Sequence, residues 1–296
     1  MLAAQMIDRP VQDKEIQRWS DRLRDEGYVV IPDLVASEEI AAINRDFERA
    51  FADTPFCQGG FYGERTKRFG RLLARSVRAQ NHVMHPLVLG IAEKILGPWC
   101  DRIQLNLTQA IALHPGALPQ LPHRDQDMWR GALGETEYLL NVMWPLTPYT
   151  QANGGTLVWP KSHGKEALDP DPKTDPVAIE LEPGSALLFL GSTLHGAGGN
   201  TTEDVRRGMI ISYCLGWLKP YENQWLAYPP EVARQFKPEV AALAGYRQHR
   251  PNLGNYEGNC PSILLTGQTL GGAIDALRPD QQILVEEYVA RQRTGP

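Results

Sequence analysis

The stretch "IQLNLTQAIAL", residues 103–113, decides the fold: Ile103, Leu105, Leu107, Gln109, Ile111 and Leu113 recur every second residue, with polar or small side chains between them. A period of two predicts a half-buried strand, and it marks the place where the character of the chain changes. Before it, the periodicity is helical. Ile16, Trp19 and Leu23 share one face of a predicted helix that closes at Gly27, and "YVVIP" at 28–32 reads as a short strand. Ser37 stands as the cap of a second helix carrying Ile40, Ile43, Phe47 and Phe51, and "HPLVLGIAEKILGP" at 85–98 reads as a third.

After it, strands are predicted at 138–145, 155–159, 177–182, 186–190 and 206–218, separated by Gly- and Pro-rich turns such as "EPGS" and "GSTLHGAGGNTTED". Many short strands with such turns predict a sandwich or barrel. The tail carries partial helical patterns, and "RPDQQILVEEYVARQR" at 278–293 is predicted to be a closing helix. The expectation is one domain over residues 1–296: a helical region of about 1–100 bracing a β core of about 102–220, then a loop and helical extension of about 221–296.

Composition removes several function classes. A net charge of −5 in 296 residues gives no bulk attraction to nucleic acid or to an anionic membrane. The four cysteines (Cys57, Cys100, Cys214, Cys260) form no C-x-x-C pair, which fits a reducing cytoplasm better than a disulfide framework. Neither a signal-peptide apolar region in the first thirty residues nor an apolar run of membrane-spanning length is read.

The chemistry is carried by "LPHRDQDMW" at 121–129. On a strand, residues two apart face the same way, so His123 and Asp125 converge while Arg124 looks away. Two ligands hold a catalytic metal weakly, and a third donor is needed. His195, which ends "SALLFLGSTLH", is the candidate, with enough intervening chain to return it alongside. Two imidazoles and one carboxylate on one side of ferrous iron leave positions open for reaction. His82, His85, His114, His163 and His249 lack a carboxylate two positions away and read as core or surface residues, with His163 near the site mouth as its other reading.

Arg206, eleven residues after His195, opens the strand "RRGMIISYCLGWL" and shares a face with Gly208, Ile210 and Ser212, where a planar guanidinium would suit a carboxylate. The alternative for an arginine here is a surface pair with Glu203 or Asp204, a role that falls more naturally to Arg207.

These residues in this order, together with "DEGYVVIPDLV", "NGGTLVWPKSHG" and "LHGAGGNTTEDVRRG", resemble the phytanoyl-CoA dioxygenase family of Fe(II)/2-oxoglutarate oxygenases, from about residue 15 to 220; "GGFYGERTKR" looks like members that oxidise natural products. The resemblance implies a mainly β fold with flanking helices and a double-stranded β-helix (jelly roll, cupin-like) core. It implies iron on His123, Asp125 and His195, and Arg206 on the distal carboxylate of 2-oxoglutarate. It further implies co-substrate contacts from Gln120, Thr156 and Trp129. The implied reaction is a dioxygenase oxidation consuming O2 and releasing succinate and CO2. The competing readings are an acyl-CoA hydroxylase of the same family, a cupin-type metalloenzyme that takes no 2-oxoglutarate, and a non-catalytic relic.

For the substrate, "FCQGGFYGERTKRFGRLL" at 56–73 is expected to line the entrance. Trp144, Trp159, Tyr213 and Trp217 are expected either at an apolar pocket or in the core, and Arg65, Lys67 and Arg68 either solvated or gripping a phosphate. The favoured partner is a free lipophilic small molecule, with a homodimer as the assembly left open.

Overall fold

The computed structural model describes residues 13–294. Residues 1–12 and 295–296 of the expected domain, and with them part of the region read for a signal peptide, lie outside the described residues. Two antiparallel sheets form the β core. The larger has the order β1 (Tyr28–Ile31), β7 (Ala186–Leu190), β4 (Leu139–Pro145), β9 (Arg206–Leu215), β3 (Ile103–Leu113), β2 (Thr66–Phe69); the smaller has β6 (Val177–Ala178), β5 (Thr156–Val158), β8 (His195–Ala197). The predicted strand at 177–182 shrinks to two residues, while Tyr149 pairs with Leu181 by an isolated bridge.

One face of the large sheet carries the helices. Leu140, Val142 and Trp144 of β4, Met209, Ile211 and Tyr213 of β9, and Leu188 of β7 pack against α1 (Asp13–Glu26), α2 (Ser37–Asp46), α5 (Val77–Val83) and α6 (Pro86–Leu96) in one continuous core. The alternate residues Met143, Ile210, Leu187 and Phe189 face the other way, into a second cluster beneath the small sheet. Alternation along each strand therefore divides a helix-side core from a cavity side.

Strand β3 departs from the predicted continuous alternation. Its pairing with β9 shifts between Leu105 and Leu107, leaving Asn106 as a bulge. The extra residue reverses the faces. Ile103 and Leu105 lie in the helix-side core with Ala110 and Ala112, whereas Leu107 and Ile111 lie in the opposite cluster.

Helix starts also differ from expectation. Ser37 lies inside α2, whose N-cap is Ala36 and has no side-chain cap bond, and the run through Phe51 breaks at Phe47 into α2 and α3 (Glu48–Asp53). The spacing of Ile40, Ile43, Phe47 and Phe51 still buries all four, because packing rather than capping decides the face. Ser76 is a working cap, accepting from the Arg78 N–H at 3.1 Å.

Gly27 ties the first helix to the site. It adopts φ +83° at the end of α1, and its N–H bonds to Leu23 O at 2.9 Å. Its carbonyl accepts from Leu190 N at 3.0 Å and from Thr193 Oγ1 at 2.8 Å, and a Cβ there would lie 2.7 Å from Thr193 Oγ1. Glycine is required on both counts. The segment 190–195 thus hangs from the N-terminal helix. No helix among the described residues is long and apolar enough to cross a membrane.

Candidate active site

His123 and His195 face each other across a two-bond bridge, His123 N to His195 O at 2.9 Å and His195 N to His123 O at 3.0 Å. Their rings stand 4.4 Å apart. Asp125 is not on a strand as the two-residue spacing implies; it opens a 3₁₀ turn, Asp125–Met128. The turn still delivers its carboxylate, with Oδ1 3.5 Å from His123 Nε2 and Oδ2 3.7 Å from His195 Nε2. The three side chains place one donor atom each within 4.8 Å of one another, close enough to hold one metal ion.

The turn is pinned at its ends. Gln126 N donates to Gly191 O at 3.0 Å, and Arg124, looking away as expected, donates from Nε to Ser192 O at 3.1 Å. The loop it grips is held from the far side by Glu137, whose carboxylate accepts from Ser192 Oγ at 2.6 Å and Ser192 N at 3.2 Å. Burial holds the Glu137 carboxyl up at about 7 against the pull of those donors.

The electrostatics suit a cation. Both Nδ1 atoms face backbone carbonyls, His123 at 2.9 Å from Leu121 O and His195 at 3.1 Å from Thr193 O. A carbonyl only accepts, so each Nδ1 carries the proton and each Nε2 presents a lone pair to the carboxylate. Burial lowers the pKa of His195, which favours the neutral imidazole a metal needs. Burial also opposes ionisation of Asp125, but its neighbours outweigh it and bring the carboxyl down to about 2: positive charge on His195 and His123 when no metal is bound, a role a bound cation would take over from the neutral rings, and a hydrogen bond from Asn141 Nδ2 to Oδ2 at 2.8 Å. Asn141 of β4 is a site residue the motif does not reveal.

These donors open onto a cavity of about 880 Å³. Arg206 lies in its wall, 3% exposed, with Nη1 donating to Tyr149 OH at 3.1 Å, Nη2 to Gly154 O, and its carbon 4.3 Å from the Tyr149 ring centroid. Its Nε has no partner, and no ion pair among the described residues includes it. Arg207 takes the surface role, but with Glu48 at 2.6 Å rather than with Glu203 or Asp204. Gln120 and Thr156 also line the cavity; Gln120 Oε1 accepts from Ala197 N at 3.3 Å. Trp129 does not line it. Its indole N–H reaches Lys219 O at 2.9 Å and its ring packs 6.3 Å from Tyr138, because the chain turns at Asp125 and carries Trp129 past the site.

The loop 56–73 does line the entrance, through Phe61, Tyr62, Glu64, Arg65 and Arg68, with Phe61 edge-on to the His123 ring at 4.9 Å. The expected aromatics do not line it: Trp144 and Tyr213 belong to the helix-side core, Trp159 is buried outside the lining, and Trp217 lies at the surface with its N–H on Trp99 O at 3.0 Å. Alternation explains Tyr213, which sits out of phase with Arg206 and Ile210. Three further contacts were hidden in the sequence. Arg68 donates to Gln109 Oε1 at 3.2 Å and stacks 4.9 Å over Tyr62, and the Tyr62 and Tyr221 hydroxyls hydrogen-bond across the cavity. His163 is remote from the mouth, bonded through Nε2 to Arg24 O at 2.7 Å.

With this geometry in place, the family match is decisive: phytanoyl-CoA dioxygenase (PhyH), over residues 23–208. The chain belongs to that dioxygenase family. Dioxygenase trt7 of Aspergillus terreus is 28% identical over 235 residues, covering 76% of this chain and 82% of its own. Dioxygenase aneA of Aspergillus aculeatus is 30% identical over 243 residues, covering 76% and 80%. Among solved structures, the non-heme alpha ketoglutarate dependent epimerase SnoN from nogalamycin biosynthesis aligns with a TM-score of 0.60 at 20% identity, over 71% of this chain and 87% of its own. That likeness carries the fold. The two sheets of this PhyH-family dioxygenase are the jelly-roll core that the family resemblance implies, with helices flanking it.

Proposed function

We propose that the chain is an Fe(II)/2-oxoglutarate-dependent dioxygenase that oxidises a lipophilic natural product with O2, releasing succinate and CO2. His123, Asp125 and His195 are the metal ligands in this proposal, Arg206 holds the 5-carboxylate of 2-oxoglutarate, and Gln120 and Thr156 contact the co-substrate. The observation that carries it is one cavity containing both a three-donor cluster and a buried guanidinium with no acid partner. The donor set fits ferrous iron, being two neutral imidazoles and one carboxylate with an open side. A buried cation without a counter-charge is costly, and a dicarboxylate co-substrate supplies one. A cupin-type enzyme without 2-oxoglutarate accounts for the donors and leaves Arg206 unexplained.

Iron and 2-oxoglutarate, when bound, supply the oxidation of an unactivated C–H bond. The protein supplies placement and dryness. Asn141 fixes the carboxylate, Leu121 and Thr193 carbonyls fix the imidazoles, and Phe61 shields the His123 side. Leu107, Ile111, Met143, Phe189 and Ile210 give the cavity an apolar wall that suits a hydrophobic substrate.

A free small molecule fits better than a CoA thioester. Lys67 points away from the cavity and donates to Phe51 O at 2.9 Å and Ala52 O at 3.2 Å. Arg65 is tied to Pro115 O at 3.1 Å, beside Glu64, and Asp127 accompanies Arg124 at the rim. Of the three basic residues only Lys67 is turned away; Arg65 and Arg68 line the cavity but are engaged, Arg68 with Gln109 Oε1 and the Tyr62 ring. The trt7 and aneA dioxygenases are consistent with the reaction class, the epimerase from nogalamycin biosynthesis with a natural-product substrate, and the structure of that epimerase in complex with Fe3+, alpha ketoglutarate and nogalamycin RO, TM-score 0.58 at 20% identity, supports the cofactors. We take residues 1–296 as one oxygenase domain. The four free cysteines support a reducing, cytoplasmic setting, and a homodimer is the proposed assembly.

Anaerobic addition of 2-oxoglutarate to the Fe(II)-loaded protein tests the assignment. A weak visible charge-transfer absorption is expected in the wild type, and its absence would refute co-substrate chelation. Succinate release across free polycyclic hydrophobes and matched acyl-CoAs then decides the substrate class, since turnover confined to the CoA conjugates contradicts the free-molecule assignment.

A further inference from the structure

Glu222 follows β9, half-buried and outside the cavity lining. Its carboxylate joins two distant stretches of backbone. Oε1 accepts from Arg71 N at 2.8 Å, near the end of the entrance loop, and Oε2 accepts from Thr108 N at 3.3 Å, beside the β3 bulge. Two N–H donors converging on one side chain call for two acceptor oxygens, which a carboxylate offers and an amide does not. Both stretches are shaped for it. Arg71 holds φ +61°, left-handed backbone that a residue with a side chain keeps only when its surroundings fix it, and its guanidinium is anchored on Ala227 O at 3.0 Å. At Gly70 a Cβ would overlap Glu222 Oε1, while the nearest atom outside Glu222 is Thr108 O at 3.5 Å, an ordinary contact. The glycine is what admits the carboxylate.

The bulge completes the seat. Asn106 is fully buried, and where the β3–β9 ladder is interrupted its polar groups turn to the segment after β9. Its Oδ1 accepts from Tyr221 N at 2.7 Å, and its carbonyl accepts from Glu222 N at 3.0 Å and from Gln224 Nε2 at 3.2 Å. Its own Nδ2 donates to Ser212 Oγ at 3.1 Å. Tyr221 lines the cavity, where its hydroxyl meets that of Tyr62 from the entrance loop. We propose that Glu222 is a positioning residue: by gripping Arg71 and Thr108 together it holds Tyr221 opposite Tyr62, and so fixes the stretch of cavity wall that a hydrophobic substrate must fit. The role toward substrate rests on the dioxygenase assignment, whereas the clasp does not depend on it.

Amide hydrogen exchange on the full chain, without metal or co-substrate, tests the clasp. Glu222→Gln keeps the volume but offers one acceptor oxygen, and should speed exchange in peptides covering 56–73 and Thr108 by about tenfold or more, while β4 and β7 stay protected as in the wild type. Gly70→Ala should do the same by displacing the carboxylate. Added to Glu222→Ala it should cost nothing further, since the shortened side chain leaves room for the new Cβ. Unchanged exchange, uniform acceleration across both sheets, or additive effects of Gly70→Ala and Glu222→Ala overturns the clasp. In the loaded enzyme, a hydrophobe that the wild type turns over should show kcat/KM lowered by about 10- to 100-fold in Glu222→Gln, carried by KM, with the 2-oxoglutarate Kd within about twofold of the wild type. A loss carried by kcat alone, or by the 2-oxoglutarate Kd, overturns the role toward substrate. A chain that turns over no hydrophobe removes that role together with the dioxygenase assignment, and the exchange result still decides the clasp.

Discussion

Asn141 Nδ2 donates to Asp125 Oδ2 across 2.8 Å, so a residue fixed in the middle of β4 orients a carboxylate that belongs to a separate turn. The strand has no mobility to share, and the turn borrows its rigidity. Asn141→Leu should lower Co(II) or Fe(II) affinity by about 10- to 100-fold, the usual effect of losing a group that orients a metal ligand. Competition titration against a chelator checks this, and unchanged affinity would remove Asn141 from the site.

Asp125→Ala and His195→Ala should each abolish metal-dependent succinate formation, because two donors cannot hold a facial set. The fold should persist, since neither side chain belongs to the apolar clusters. Far-UV circular dichroism and succinate assays on the same samples separate the two effects. Full turnover in either variant would sink the ligand assignment.

Arg206→Ala should raise the 2-oxoglutarate dissociation constant by about 30- to 4,000-fold, corresponding to roughly 2–5 kcal/mol for truncating a buried charge pair. Arg207→Ala should leave it unchanged, since that guanidinium meets Glu48 at the surface, where such a pair is worth about 1 kcal/mol or less. Calorimetric titration of the two variants is decisive if their order reverses.

Glu137 sets a dependence on pH. Its carboxyl is held up at about 7 by burial, so the native state keeps a proton that the unfolded chain releases in the ordinary carboxylate range. The stabilisation is complete below the unfolded value and is lost as pH rises through about 7, by up to roughly 3 kcal/mol. Glu137→Gln, which keeps a hydrogen-bonding amide beside Ser192, should flatten the decline. Urea midpoints at pH 5 and pH 8 for both proteins supply the comparison, and parallel declines would exclude the group.

The His-x-Asp motif was legible because it states chemistry locally: two donors near one another need only a bend to converge, and a 3₁₀ turn serves as well as the predicted strand. Arg206 was legible for a similar reason, its phase being set by Ile210 within one regular strand. Asn106 was not. "LNL" reads as perfect alternation whether or not a residue is inserted, and only pairing with β9 reveals the bulge. Trp144 shows a second limit, since a large aromatic on a strand satisfies pocket and core equally until the helices choose a face. Asn141 and Tyr149 escaped because their partners, Asp125 and Arg206, lie 16 and 57 residues away.

The bulge at Asn106 has an evolutionary corollary. Downstream of it, Leu107, Gln109, Ile111 and Leu113 look into the cavity while Ala110 and Ala112 hold the helices, so one short segment keeps two ledgers on opposite sides of a single backbone. Substitutions at the odd positions bear on which molecule is accepted and, at the buried Ile111 and Leu113, on local packing as well, but they leave the helix-side core untouched. A library confined to those four positions should yield folded variants with altered substrate preference far more often than one drawn from Thr108, Ala110 and Ala112, whereas deleting Asn106 would exchange the two roles at one stroke and leave neither intact.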